Sequence, residues 1–236
     1  MDHQTILIIA AHPDDIEFRC AGSAALWVRQ GRRVEYCLCT SGEKGFNGNG
    51  WRRFSAEERR AIRETEQRAA AAAVGAAAVH FLRHPDGELR NIPEFRRDLV
   101  RLMRRLKPGL VVSGDPSMDA YDSFYGYHSD HRAAAQAVFD ALYPAVGNEH
   151  FFPELLEEGL EPHRPKEAYF GHPARADVWV DIAETFDIKM EALACHKSQI
   201  EDIGEIIPRM REWAKRSGEG GGLECAEAYR RLEVPE

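Results

Sequence analysis

Apolar and polar positions fall in blocks along this chain. Ile6-Leu7-Ile8-Ile9-Ala10 is a continuous apolar run, as expected of a strand covered on both faces, and it predicts a strand over residues 5–11. Residues 21–31 read as a helix closed by Gly31. Residues 34–40 read as a second strand, with Cys37 and Cys39 on one face as core thiols. Ser55 followed by Glu58 is a capping-box pattern, and the long helix it opens runs to about Val74 and stops at Gly75. Ala69 to Ala73 is five alanines, which combine high helix propensity with a small face able to approach a sheet closely. Further on, the pattern predicts strands over 79–82, 110–113, 166–170 and 178–182. It predicts helices over 92–106, 130–143 and 183–198. A Gly-rich segment, 218–222, is read as a mobile loop able to cover a site, followed by a short C-terminal helix.

Strands separated by helical patterns imply βαβ units. The expected fold class is therefore α/β, a single Rossmann-like domain spanning 1–236 with a mainly parallel sheet flanked by helices. No internal repeat or domain linker interrupts the pattern.

Composition narrows the function. The 236 residues suffice for one large core, and 44% hydrophobic with 30% charged residues fits a soluble globular protein. A net charge of −8 without a long basic run argues against a nucleic-acid partner. No apolar stretch reaches membrane-spanning length, so no membrane role is expected. Residues 1–5 carry no basic leader pattern. Five scattered cysteines do not form a disulfide framework, which together with the missing leader suggests a cytoplasmic protein. The segment His150-Phe151-Phe152-Pro153 is read as an interface or a site wall, and a homo-oligomer is expected.

The chemistry sits in two short segments. His12-Pro13-Asp14-Asp15 directly follows the first strand, where ligands gather in open α/β sheets. Alone it reads equally well as a polar turn with an Asp helix cap. The second segment, His128-Ser129-Asp130-His131, opens a helix, with its two histidines three residues apart and able to face one cavity. Asp130 there is either a helix cap or a partner that fixes an imidazole. Together the segments offer three His and three Asp, enough for a metal bound by three protein groups with an open position for water, plus a carboxylate base. No GxGxxG follows the first strand, which weighs against a dinucleotide-binding protein.

These residues resemble the PIG-L/LmbE family of zinc-dependent N-acetylglucosaminyl deacetylases, which includes the chitobiose deacetylases and those of the mycothiol and bacillithiol pathways. The resemblance rests on residues 11–18 and 128–132. It is supported by Thr40-Ser41-Gly42-Glu43-Lys44-Gly45, Arg63-Glu64-Thr65-Glu66, Phe81-Leu82 with Asp86-Gly87, and residues 193–199. It implies an LmbE-like fold and removal of an acetyl group from a small-molecule amino sugar. It assigns His12, Asp15 and His131 as zinc ligands and Asp14 as the general base for a zinc-activated water. His128 becomes the residue that stabilises the oxyanion or protonates the leaving amine, with Asp130 orienting it. Arg63 and Asp86 become sugar contacts. Two nitrogen ligands and one oxygen ligand also suit Fe²⁺, Co²⁺ or Ni²⁺.

Two departures stand out. Arg19-Cys20-Ala21-Gly22 lies where relatives often carry Gly-Cys-Gly-Gly. Gly126 occupies a position that is tyrosine in some relatives, leaving Tyr125 and Tyr127 both open as the oxyanion contact. His196 is expected to be structural or at the rim. The rival readings are a zinc amidase acting on a thiol conjugate or antibiotic-type substrate, and a metal- or sugar-binding protein without catalysis.

Overall fold

The computed structural model describes residues 5–45, 51–117, 124, 127–171, 173 and 175–235. Its frame is a seven-stranded sheet built from β1 (Thr5–Ala10), β2 (Arg33–Thr40), β3 (Ala78–His84), β4 (Leu110–Gly114), β5 (Glu167–Gly171), β6 (Val178–Asp181) and β7 (Ala226–Glu233). The order across the sheet is β3-β2-β1-β4-β5-β7-β6. The pairings from β3 through β5 are all parallel, and β7 runs antiparallel to both β5 and β6. The fold is thus the expected α/β class with a mostly parallel sheet. The chain reverses direction of winding at β1 and β4, so their carboxyl ends open onto a crevice.

Side chains alternate across the sheet, and helices cover both faces. Ile6, Ile8, Tyr36, Leu38 and Val112 pack with Ile16, Ala24, Ala25, Ala70 and Ala71, which come from α1 (Asp15–Arg19), α2 (Ala21–Arg29) and α3 (Ala56–Val74). Leu7, Ile9, Cys37, Cys39 and Val111 face Phe95, Leu99, Met103, Ala134 and Val138 on α4 (Pro93–Leu106) and α5 (Ser129–Asp140). Both cysteines are buried core thiols. Of the five alanines, Ala70 and Ala71 are the buried pair. Helix α3 begins and ends as its sequence demands: Ser55 and Glu58 form the reciprocal capping box, and Gly75 closes the helix at φ 86°.

Three expectations are corrected near the C-terminus. The segment after the glycines is the strand β7, not a helix. The helix expected over 183–198 is α7, Phe186–Leu193, and an unanticipated helix α8 spans Ile203–Gly218. Gly220 and Gly221 lie against Trp179, where any Cβ would approach the indole within 2.8 and 2.6 Å, so these glycines serve close packing. Residues 150–153 are tied to the body of the fold by Arg104, which is fully buried and donates to the carbonyls of Ala145, Val146, Asn148 and Phe151. No helix among the described residues is long and apolar enough to cross a membrane.

Candidate metal centre

The crevice at the end of β1 gathers both chemical segments. The carbonyl of Ala11 accepts hydrogen bonds from the backbone and hydroxyl of Thr40, which ties the turn at 12–15 to the end of β2. His12 and Asp15 come from this turn and the start of α1. His131 comes from the first turn of α5, preceded by His128 as its N-cap. Nδ1 of His12 lies 3.3 Å from Nε2 of His131. The Asp15 carboxylate lies 2.9 Å from that His131 nitrogen and 3.5 Å from Nδ1 of His12. Three donors each about 2.0–2.1 Å from a tetrahedral ion stand roughly 3.3 Å apart, so this donor set fits a divalent ion.

The surroundings of His12 strengthen the fit. Its other nitrogen, Nε2, faces Asp86 at 3.1 Å and Asp130 at 3.3 Å. Carboxylates accept only, so the neutral ring keeps its proton on Nε2 and presents the Nδ1 lone pair to the ligand cluster. Burial alone would lower the His12 pKa, but Asp130, Asp15 and Asp86 together hold it well above the ordinary value. Burial likewise works against ionised Asp15, yet His131, Arg19 and His12 hold its carboxyl well below the usual range. Asp15, Asp86 and Asp130, each held ionised by its neighbours, supply negative charge that suits a cation.

Asp14 stands beside this cluster at φ 93° and ψ −27°. Arg63, buried on α3, donates to Asp14 Oδ2 at 3.0 Å, to the carbonyl of Pro13 and to the carbonyl of Gly42. Gly42, at φ 63°, leaves the guanidinium its space, since a Cβ there would lie 2.9 Å from it. Burial raises the Asp14 pKa, Arg63 tempers the rise, and Asp15 adds to it. A carboxylate with a raised pKa is the better proton acceptor.

The remaining sites fall as follows. Arg63 spends its guanidinium on the Pro13-Asp14 turn. Asp86 accepts from His12 and from the Lys44 amide at 2.6 Å. The Asp130 carboxylate lies against His12 and the amides of Gly87 and Leu89, while its own amide donates to Nδ1 of His128. Asp130 therefore orients His12 through its side chain and His128 through its backbone. His128 is exposed, its ring centroid 5.0 Å from that of His12, and its pKa is lowered by partial burial and by the neighbouring His12 and His131. Tyr127 stacks under Arg132. Tyr125, Gly126, most of the 117–127 loop and residues 46–50 lie outside the described residues.

Two features escaped the sequence reading. Arg19 donates to Nδ1 of His131 at 2.9 Å. Gln67, one turn after Arg63 on α3, also reaches Asp14. The i, i+4 spacing of Arg63 and Gln67 was the available signal.

Comparison with known proteins gives the family. The family profile PIG-L, GlcNAc-PI de-N-acetylase, matches residues 7–142. The chain is 30% identical to the diacetylchitobiose deacetylase of Thermococcus kodakarensis, over 97% of this chain and 83% of the relative. It superposes with a TM-score of 0.89 and 27% identity on N,N'-diacetylchitobiose deacetylase from Pyrococcus horikoshii, solved with its inhibitor MPG, covering 98% of this chain and 84% of that one. It is also 28% identical to a 4-oxalmesaconate hydratase of Pseudomonas putida, over 88% of this chain and 78% of the relative.

Proposed function

The chain belongs to the PIG-L family, and from that premise we propose that it is a metal-dependent N-deacetylase acting on an N-acetylglucosamine-type amino sugar or its conjugate. The observation that carries this reading is the convergence of His12, Asp15 and His131 beside a separately held carboxylate, Asp14. The reading takes residues 1–236 as one domain of this kind. His12, Asp15 and His131 would hold the ion, with zinc the first choice for two imidazoles and a carboxylate. When bound, such an ion supplies Lewis acidity toward a carbonyl oxygen and makes water more acidic.

The residues of the chain do the rest. Asp14 accepts a proton from the attacking water at its carboxylate, while Arg63 keeps that carboxylate in place. The water oxygen bonds to the amide carbon, the C–N bond breaks, and the leaving nitrogen takes a proton. His128, whose Nδ1 accepts from the Asp130 amide, would offer its Nε2 proton as a hydrogen bond to the oxyanion, and the proton that Asp14 took would pass to the leaving nitrogen. Asp86 and Asp130 hold the His12 ring. Acetate and a free amine are the products.

The test is a panel of N-acetylglucosamine, diacetylchitobiose, N-acetylglucosaminyl conjugates and N-acyl thiol conjugates, assayed for new primary amine before and after chelation. We expect amine from an amino-sugar member, lost on chelation and restored by zinc. Amine from the thiol conjugates alone would favour the amidase reading. With an unsaturated dicarboxylic acid added as a separate substrate, its hydration together with no amine from any panel member would reject deacetylation.

A further inference from the structure

Asp14 has a backbone conformation that its side chain does not favour. A non-glycine residue at φ 93° and ψ −27° is strained and persists only where the surroundings hold it. We propose that Gln67, Glu17 and His196 form a buried positioning chain that fixes the backbone of Asp14, and through it the direction of the proton-accepting carboxylate. This rests on the reading of Asp14 as the base.

The chain of contacts has one consistent polarity. The Asp14 amide donates to Gln67 Oε1 at 3.1 Å. That fixes the Gln67 side chain with its nitrogen pointing away, where it donates to Glu17 Oε1 at 2.9 Å. The other carboxylate oxygen, Oε2, lies 3.0 Å from Nε2 of His196, which must be the donor. Gln67, Glu17 and His196 are all 0% exposed, so none can meet substrate. They come from α3, α1 and the turn after α7, so the link spans three separate parts of the chain.

Arg63 and Gln67 divide the work. Arg63 grips the Asp14 carboxylate and the Pro13 carbonyl, while Gln67 grips the Asp14 amide one turn further along the same helix. A buried charged group is costly unless its partners satisfy it. Glu17 takes a hydrogen bond from His196 on one oxygen and from Gln67 on the other, which locks the amide of Gln67 in the orientation that Asp14 needs. This gives His196 a role away from the metal ligands.

The test is a double-mutant cycle between Gln67→Met and Asp14→Asn, read as amine release from the panel member that the wild-type protein deacetylates. Gln67→Met keeps the side-chain volume but removes the acceptor. We expect it to lower kcat by about 10–100-fold, with KM and metal stoichiometry unchanged. In the Asp14→Asn background it should cause no further loss. Hydrogen exchange gives a second readout, because the Asp14 amide should exchange faster in Gln67→Met than in wild type. His196→Gln, which retains an N–H donor toward Glu17, should keep more kcat than His196→Leu. Wild-type kcat in Gln67→Met, or a loss that adds to that of Asp14→Asn, would overturn the chain and leave the base assignment standing. Wild-type turnover in Asp14→Asn would overturn both.

Discussion

Replacing Lys189 by methionine should destabilise the fold through a carboxylate 38 residues away in sequence. Lys189 lies on α7 and Glu227 on β7, with exposures of 3% and 5% and an Nζ–Oε1 distance of 2.5 Å. Glu227 also accepts from the amides of Gly22 and Ser23 and from the Tyr229 hydroxyl. Helix α2 has no side-chain cap of its own, so Glu227 caps its first turn from across the fold, where the helix N-terminus favours a negative charge. Lys189→Met leaves that carboxylate buried with three neutral donors and no cation. Orphaning one member of a buried pair costs about 3–5 kcal/mol. For a chain of this size that lowers Tm by roughly 6–20 °C. Thermal unfolding followed by circular dichroism measures it. Glu227→Gln in the Lys189→Met background removes the unpaired charge and should return about half of the loss. A Tm within about 2 °C of wild type for Lys189→Met, or no recovery in the double variant, would refute the reasoning.

Other consequences follow from the same contacts. Burial disfavours ionised Asp86, but His12 and the Lys44 amide bring its carboxyl from 3.8 down to about 2. Its ionised form therefore contributes stability above the unfolded value that is lost as pH falls through the folded one, about 2 kcal/mol in all. Metal-free Asp86→Asn should be less stable than wild type by that amount near neutrality, with the gap closing in acid; equal urea midpoints at neutral pH would contradict this. Arg19 can only donate, so in the metal-free protein it places the His131 proton on Nε2, the nitrogen that faces the ligand cluster. Arg19→Met should tighten zinc binding about 10-fold in a chelator competition, and unchanged or weaker binding would count against that role. Arg104→Met removes a fully buried donor from four carbonyls, those of Ala145 and Val146 buried, and should cost about 3 kcal/mol in denaturant unfolding.

Local signals carried much of the fold. Helix α3 was legible because Ser55, Glu58 and Gly75 each satisfy backbone groups within their own turn. The strand β1 was legible because a parallel strand buried on both faces is apolar throughout. Strand β7 was not legible: Arg230, Arg231 and Glu233 are exposed, and its pairing partners lie 45 or more residues earlier in the chain. Helix α7 ends before its apolar pattern does, because His196 turns inward to Glu17. In the site, the strand-end position and short spacings of 12–15 and 128–131 were visible as pattern. The sharing of His12 between Asp86 and Asp130, and the grip of Gln67 on Asp14, depend on side-chain directions set by packing among distant elements.

The central claim separates metal holding from proton transfer within one turn of chain. The most direct measurement is metal stoichiometry and amine release on the same sample of Asp14→Asn. We predict wild-type metal content with turnover reduced by about 10²–10⁴-fold. Wild-type turnover, or loss of the metal with the carboxylate, would contradict the division of roles between Asp14 and Asp15.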